Sequence, residues 1–194
     1  HTGSGKSTLM SLLLRFYTPQ AGQILWGGQA LCDINLEVLR RRVSLVPQDA
    51  FLFPGSVYDN ITIGRPTPIE EVEALLKTYG LMTAFARLPQ GLNTLLTERG
   101  SNISAGQRQL VALVRALIRQ PDILVLDEAT ASVDSETEQW VQQALFRLRG
   151  TMTVIAIAHR ISTITEADHI IVLNHGEIVE RGNHRSLLEH HGIY

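Results

Sequence analysis

Cysteine occurs once in the 194 residues, at Cys32, so the chain has no internal disulfide framework and suits a reducing compartment. Lysine is almost as scarce, two residues against fifteen arginines, so each lysine position carries weight. Excess charge is missing too. A formal net charge of −2 offers no general electrostatic attraction for DNA or RNA. No apolar run reaches the roughly 18 residues of a membrane span, and no signal peptide is visible, so this stretch does not itself cross a membrane. Repeats and low-complexity tracts are likewise not apparent. What remains is a 44% apolar sequence, long enough for one substantial core and short for two.

The most informative stretch is His1-Thr2-Gly3-Ser4-Gly5-Lys6-Ser7-Thr8, followed by an apolar run from Leu9 to Phe16. Gly5-Lys6-Ser7 is the second half of a phosphate-binding loop, G-x-x-x-x-G-K-[ST]. Glycines let backbone N–H groups turn around phosphate oxygens, and the helix that follows points its positive end at them. Lys6 can reach the β- and γ-phosphates, and the Ser7 hydroxyl can sit on Mg²⁺. The motif's first glycine and the strand that feeds the loop would precede His1, so the sequence reads as an N-terminally truncated piece of a longer polypeptide.

Beyond the loop, strands and helices alternate. A buried helix is expected over Leu9 to Tyr17, a strand over Gln23 to Trp26, a short helix over Leu36 to Arg42, and a strand over Val43 to Val46 that Pro47 stops. Arg40-Arg41-Arg42 reads as a solvated helix face in preference to a nucleic-acid patch. Phe51 to Val57 is too irregular for a helix or strand. It is either local core under a loop or a surface that meets a partner. Helices follow from about Thr67 to Thr78 and Leu81 to Leu88, and another from Gln107 to Arg119. Ile123 to Leu126 is an unbroken apolar strand, a helix spans Ser135 to Leu148, and Thr151 to Ala158 reads as a second fully buried strand. The strands Ile170 to Leu173 and Glu177 to Glu180 form an antiparallel margin. The pattern predicts an α/β fold, a mainly parallel sheet covered on both faces.

Polar groups gather at the C-terminal ends of these strands, where open α/β sheets bind ligands. Gln48 follows one strand, Asp127 and Glu128 end another, and His159 ends a third. Asp127 is placed to hold Mg²⁺ with Ser7 and Gln48, while Glu128 is placed to polarise an attacking water. Gln48 and His159 approach the γ-phosphate from the same edge. A second phosphate-compatible element, Ser104-Ala105-Gly106-Gln107, opens a helix nearly one hundred residues after the first. It is either an ordinary capped helix start or the phosphate element of a second subunit related by a two-fold axis.

At this point the chain resembles the nucleotide-binding domain of ATP-binding-cassette (ABC) transporters, over its whole length. The phosphate loop matches from its second residue, and Gln48 matches the family's Q-loop. Ile103-Ser104-Ala105-Gly106-Gln107 matches the signature usually written LSGGQ. Ile123 to Asp127 matches the Walker B strand and Glu128 the catalytic glutamate. Ser132-Val133-Asp134 matches the D-loop and His159 the switch histidine. Residues 68–119 look like the inserted helical subdomain that carries the signature.

The run Phe51 to Ile61 and the ending Ala167 to Tyr194 resemble exporters whose membrane and ATPase domains share one polypeptide. The resemblance implies a P-loop NTPase fold that hydrolyses ATP with Mg²⁺ at the cytoplasmic face of a membrane. Lys6, Glu128, His159 and Gln48 are its implied catalytic groups. Thr2, Gly3, Ser4, Gly5, Lys6, Ser7 and Thr8 are its implied phosphate contacts. It also implies a head-to-tail dimer in which Ser104, Ala105, Gly106 and Gln107 meet the nucleotide of the opposite subunit, a transmembrane domain docked around Asp49 to Ser56, indirect membrane contact, and no nucleic acid. The adenine-stacking aromatic would lie upstream of His1.

Ala105 departs from the signature's first glycine and is tolerated only if its φ is not positive. Ile103 for leucine is close to volume-neutral, and Val133 stands for a common alanine in the D-loop. Such changes also occur in heterodimeric exporters with one weakened site, so a weakly hydrolysing or regulatory half is the alternative. A non-transport cassette ATPase acting on nucleic acid is a further one, but it predicts a coiled-coil insertion or basic surface that the sequence lacks.

Overall fold

The computed structural model of the protein describes residues 4–127, 134–157, 164–190 and 192–194. The described helices are α1 (Lys6–Leu13), α2 (Leu36–Arg42), α3 (Val57–Thr62), α4 (Ile69–Thr78), α5 (Met82–Ala86), α6 (Ala105–Leu117), α7 (Ser135–Leu148) and α8 (His184–Glu189). The strands are β1 (Leu25–Trp26), β2 (Gln29–Ala30), β3 (Val43–Val46), β4 (Gly55–Ser56), β5 (Leu95–Leu96), β6 (Ile123–Asp127), β7 (Thr153–Ile157), β8 (Ile170–Asn174) and β9 (Glu177–Gly182). Two compact units emerge: His1–Arg40 with Ile157–Tyr194, and Arg41–Ala156.

In the first unit, β1 and β2 pair antiparallel across Gly27-Gly28. Both glycines have positive φ, 57° and 86°, as the favoured two-residue hairpin turn demands. β8 and β9 form the expected antiparallel ribbon, turned at His175 and Gly176. The hairpin tip meets the phosphate loop, where the Gly176 N–H donates to the Ser4 carbonyl at 3.1 Å.

The second unit holds the main sheet, ordered β3-β6-β7. β3 and β6 run parallel with Val43 opposite Ile123 and Val46 opposite Leu126. Val46, Leu124, Val125 and Leu126 are at most 2% exposed. Neighbouring strand residues point to opposite faces, so both faces of this pair are covered. The strand starts are tied together: Asp122 N–H donates to Arg42 O, Thr153 N–H donates to Asp122 O, and Arg42 pairs with Asp122 at 2.9 Å. That ion pair is about half exposed and contributes at most about 1 kcal/mol. Around the sheet pack α3 to α7, through Ile61, Val72, Phe85, Leu113 and Leu148 among others. The helix that is buried almost all round is α6, where Gln109 to Val114 form an unbroken buried run. Each fully buried leucine there contributes about 1.5–3 kcal/mol relative to exposure.

Several expectations are corrected. The first helix spans Lys6–Leu13, neither starting at Leu9 nor reaching Tyr17. Arg15 takes a left-handed φ of 53°, its N–H donates to Leu12 O, and Phe16 N–H donates to Ser11 O. This pair of bonds is the helix stop usually built on glycine. Arginine replaces glycine here, and its guanidinium bonds Ile34 O. The helix is also not buried all round, since Met10 is the one buried residue of α1 and Phe16 and Tyr17 are exposed. β1 is shorter than the expected strand.

α5 is shorter than Leu81 to Leu88. α6 begins two residues before Gln107, because Ser104 caps it. β7 is not fully buried: Thr153 and Ala156 are exposed, as suits the last place in the sheet order among the described strands. Residues 51–57 contain more order than foreseen, with β4 pairing β5 and α3 starting at Val57. The local-core reading holds for Leu52, which is fully buried, while Phe51 and Phe53 are half exposed. Arg40, Arg41 and Arg42 are exposed, as a solvated helix face should be.

Candidate functional site

In the first unit, Gly5 is the N-cap of α1 with φ 97°, and no side chain caps the helix. A Cβ at Gly5 would meet Gly176 Cα at an ordinary 3.5 Å, so the backbone angle, not space, calls for glycine. Ser4 is buried, and Lys6 Nζ donates to its Oγ at 2.8 Å. Ser7 and Thr8 are exposed in the first turn of α1. The set is donors: amides, an ammonium and hydroxyls. That chemistry fits a polyphosphate, and the Ser7 hydroxyl oxygen fits a place on a hard cation. Thr2 and Gly3 lie outside the described residues.

In the second unit, β3 and β6 deliver Gln48 and Asp127 to the same end of the sheet. Val46 pairs with Leu126, so Asp127 follows on one strand while Pro47 and Gln48 follow on the other. An amide oxygen and a carboxylate are hard donors suited to Mg²⁺. Gln109, buried on α6, donates from Nε2 to Pro47 O at 2.9 Å and so ties the start of the Gln48 loop to that helix. Glu128, His159, Ser132 and Val133 lie outside the described residues.

The Ser104 element opens α6 as a capping box. Ser104 Oγ accepts from Gln107 N–H at 3.1 Å, and Gln107 Oε1 accepts from Ser104 N–H at 3.0 Å. A hydroxyl that accepts in a cap keeps its own proton to donate. Ala105 is the first helical residue and is not among the residues with positive φ, so its methyl causes no backbone strain. Gly106 is the glycine the fold demands. A Cβ there would lie 2.5 Å from Thr137 Oγ1 and 2.8 Å from Thr137 Cβ and Cγ2.

Thr137 is in turn fixed by Asp134, the N-cap of α7. Asp134 Oδ1 accepts from Thr137 N–H at 2.9 Å and Oδ2 accepts from the Thr137 hydroxyl at 2.8 Å. The Thr137 amide and hydroxyl hold the Asp134 carboxyl below its ordinary range. Asp134 thus sets where α6 can sit. Gly106→Ala is expected to destabilise the protein by about 1–3 kcal/mol, as overpacking does. Thr137→Ala, which removes two of the three clashing atoms, should recover part of the loss in a thermal melt of the double variant.

Gln109, Thr137, Asn60 and Arg115 escaped the sequence reading. Only spacing hinted at the last, since Arg108 and Arg115 recur on one helix face.

The ABC transporter family model matches residues 1–131. The whole chain aligns at 48% identity with the uncharacterized ABC transporter ATP-binding protein YknV of Bacillus subtilis (strain 168), covering 32% of it. It aligns at 47% with the mitochondrial iron-sulfur clusters transporter ABCB7 of Homo sapiens, covering 26%. A solved structure described as a bacterial Atm1-family ABC exporter with ATP bound superposes with a TM-score of 0.91 at 42% identity, covering all of this chain and 34% of that one. The chain therefore spans about a third or less of the length of these relatives. The fold is that of an α/β P-loop NTPase, with helices flanking a parallel sheet. The chain belongs to the ABC transporter family.

Proposed function

We propose that this chain is the ATP-binding and ATP-hydrolysing domain of an ABC exporter, acting at the cytoplasmic face of a membrane. The observation that carries the reading is the start of α1: Gly5 in a left-handed conformation, no side-chain cap, and Lys6 and Ser7 next in line. A phosphate group takes the place that a capping side chain fills elsewhere. Ser4, Gly5, Lys6, Ser7 and Thr8, with Thr2 and Gly3 before them, are the phosphate contacts. Ser7, Gln48 and Asp127 are the groups that would hold Mg²⁺, which supplies charge neutralisation at the β- and γ-phosphates.

Glu128 orients and polarises the attacking water, and His159 and Gln48 hold the γ-phosphate end. The chemistry is positioning and charge stabilisation around a loose phosphoryl transition state. Ser104, Ala105, Gly106 and Gln107 serve the nucleotide of a second nucleotide-binding domain, and the Ser104 hydroxyl, accepting in its cap, has a proton to donate to a γ-phosphate oxygen. Residues 68–119 form the helical subdomain that carries this element. The transmembrane domain docks around Asp49 to Ser56, next to half-exposed Phe51 and Phe53.

The weakly hydrolysing alternative loses its main support, because Ala105 sits in an unstrained helix start. Steady-state ATPase activity across a protein concentration series tests the reading. A rate per subunit that rises with concentration is expected from a site closed by two subunits. A flat, near-zero rate despite bound nucleotide would sink it.

A further inference from the structure

α6 is laced to the segment after β3 by side chains that the phosphate chemistry leaves without a role. Arg108 and Arg115 lie at i and i+7 on one stripe of the helix, and Arg119 follows two residues past its end. All three donate to backbone carbonyls. Arg108 Nη1 reaches Ile103 O at 2.9 Å and Gly100 O at 3.4 Å. Arg119 Nη2 reaches Ile63 O at 3.4 Å. Arg115 is the most engaged. Its Nε donates to Asn60 O at 2.7 Å, its Nη1 to Phe51 O at 2.9 Å, and its Nη2 to Asn60 Oδ1 at 3.1 Å. Burial, with Arg119 alongside, pushes the Arg115 guanidinium below its ordinary value. It stays charged nonetheless, since a guanidinium does not lose its proton in a protein.

Asn60 completes the device and is only 1% exposed. Its Oδ1 accepts from Phe53 N–H at 2.9 Å, and its Nδ2 donates to Phe53 O at 2.9 Å and Ser56 O at 3.0 Å. The side-chain amide thus grips both backbone groups of Phe53, as a neighbouring strand would. The segment 51–56 is held in one form, with Leu52 fully buried below and the Phe51 and Phe53 rings outside, meeting edge-on at 5.0 Å. The Asn60 bonds and the Arg115 bonds to Asn60 are part-buried, which makes them costly to break, while the Arg115 bond to Phe51 O lies at the surface.

We propose that Arg115 and Asn60 are positioning residues that couple the Ser104 end of α6 to the Phe51–Phe53 surface, so that a displacement of the helix on nucleotide closure is passed to the face offered to the partner domain. The inference rests on the function proposed above. Ser104 and Arg115 are eleven residues apart on one capped, buried helix, about 16 Å at the usual rise. Such a helix moves as a body, because bending it would open its close packing. Gln109 grips Pro47 O and Arg115 grips Phe51 O, so the two ends of the Gln48 loop are both held by α6. A helix shift therefore carries the loop with it.

The test is amide hydrogen exchange on the whole protein, with and without Mg·ATP, read at residues 50–58 and at residues 104–112. In the unaltered protein, ATP is expected to slow exchange in both stretches. Arg115→Lys keeps the charge, but one ammonium cannot hold all three acceptors. In that variant ATP should still protect residues 104–112, while its effect on residues 50–58 falls at least threefold. Equal protection of both stretches in the variant overturns the coupling.

Protection at 104–112 with none at 50–58 in the unaltered protein also overturns it, and leaves the ATP-binding role standing. No nucleotide effect at 104–112 in the unaltered protein overturns both. Asn60→Asp checks the clamp without nucleotide: it removes the two Nδ2 donors and keeps an acceptor for Arg115. Exchange at 50–58 should rise at least threefold while that of residues 104–112 does not. An unchanged rate at 50–58 refutes the clamp.

Discussion

Lys6→Ala is expected to weaken ATP binding at least tenfold and to lower turnover with it, a loss of about 1.4 kcal/mol or more in binding. Lys6 is the first residue of α1 and half-buried, and its Nζ is 2.8 Å from Ser4 Oγ inside the loop. The other lysine, Lys77, is exposed in the last turn of α4, in the second unit, and belongs to the helix stop there. An ammonium held beside phosphate oxygens in a partly desolvated loop interacts by several kcal/mol at the effective dielectric constant of such sites, about 20. Part of that is offset by its own desolvation. Arginine should not rescue the variant, because its planar fork does not replace a compact point charge on a short reach. Titration with a fluorescent ATP analogue measures the effect. Unchanged affinity in a variant with an unchanged thermal melt would remove Lys6 from the site.

Glu128→Gln should behave differently, leaving ATP affinity within a few-fold of normal and cutting turnover at least tenfold, about 1.4 kcal/mol of barrier. Glu128 lies outside the described residues, so the role proposed for it rests on the sequence and on its place after Asp127, which ends β6 at the C-terminal end of the parallel pair. A glutamine keeps the shape and loses the carboxylate that polarises water, so binding and chemistry separate. Single-turnover hydrolysis with equilibrium binding on the same preparation checks both halves. Normal turnover in Glu128→Gln would assign the water to another group. Lys6 and Glu128 together distinguish a binding failure from a chemical one, which neither does alone.

Elements of this fold differ, for physical reasons, in how far local sequence encodes them. β3 and β6 were legible because both faces of a buried parallel strand must be apolar, and Pro47 and Pro121 mark strand and helix boundaries. α7 was legible because Asp134 caps it. α4 was legible at its end because Gly80 adopts the left-handed angle its stop requires, 74°. The same kind of stop at α1 was missed because arginine occupies the left-handed position, held by a bond to Ile34 that the sequence does not show. The apolar run of α1 promised burial all round, yet burial depends on which elements pack against a helix, and that property fell to α6.

The sequence by itself determined the family, the order of the loop and strand-end residues, and the location of Ser104 at a helix start. Each of these is local: a spacing, a turn preference or a periodicity that short-range backbone geometry translates directly. Only the tertiary structure decided why Gly106 must be glycine, since Thr137 lies thirty-one positions along the chain and reaches it through the packing of α6 on α7. Only the tertiary structure brought Arg115 to Phe51 and Asn60. These contacts join segments more than fifty residues apart, where spacing carries no information and the folded core alone selects the partners.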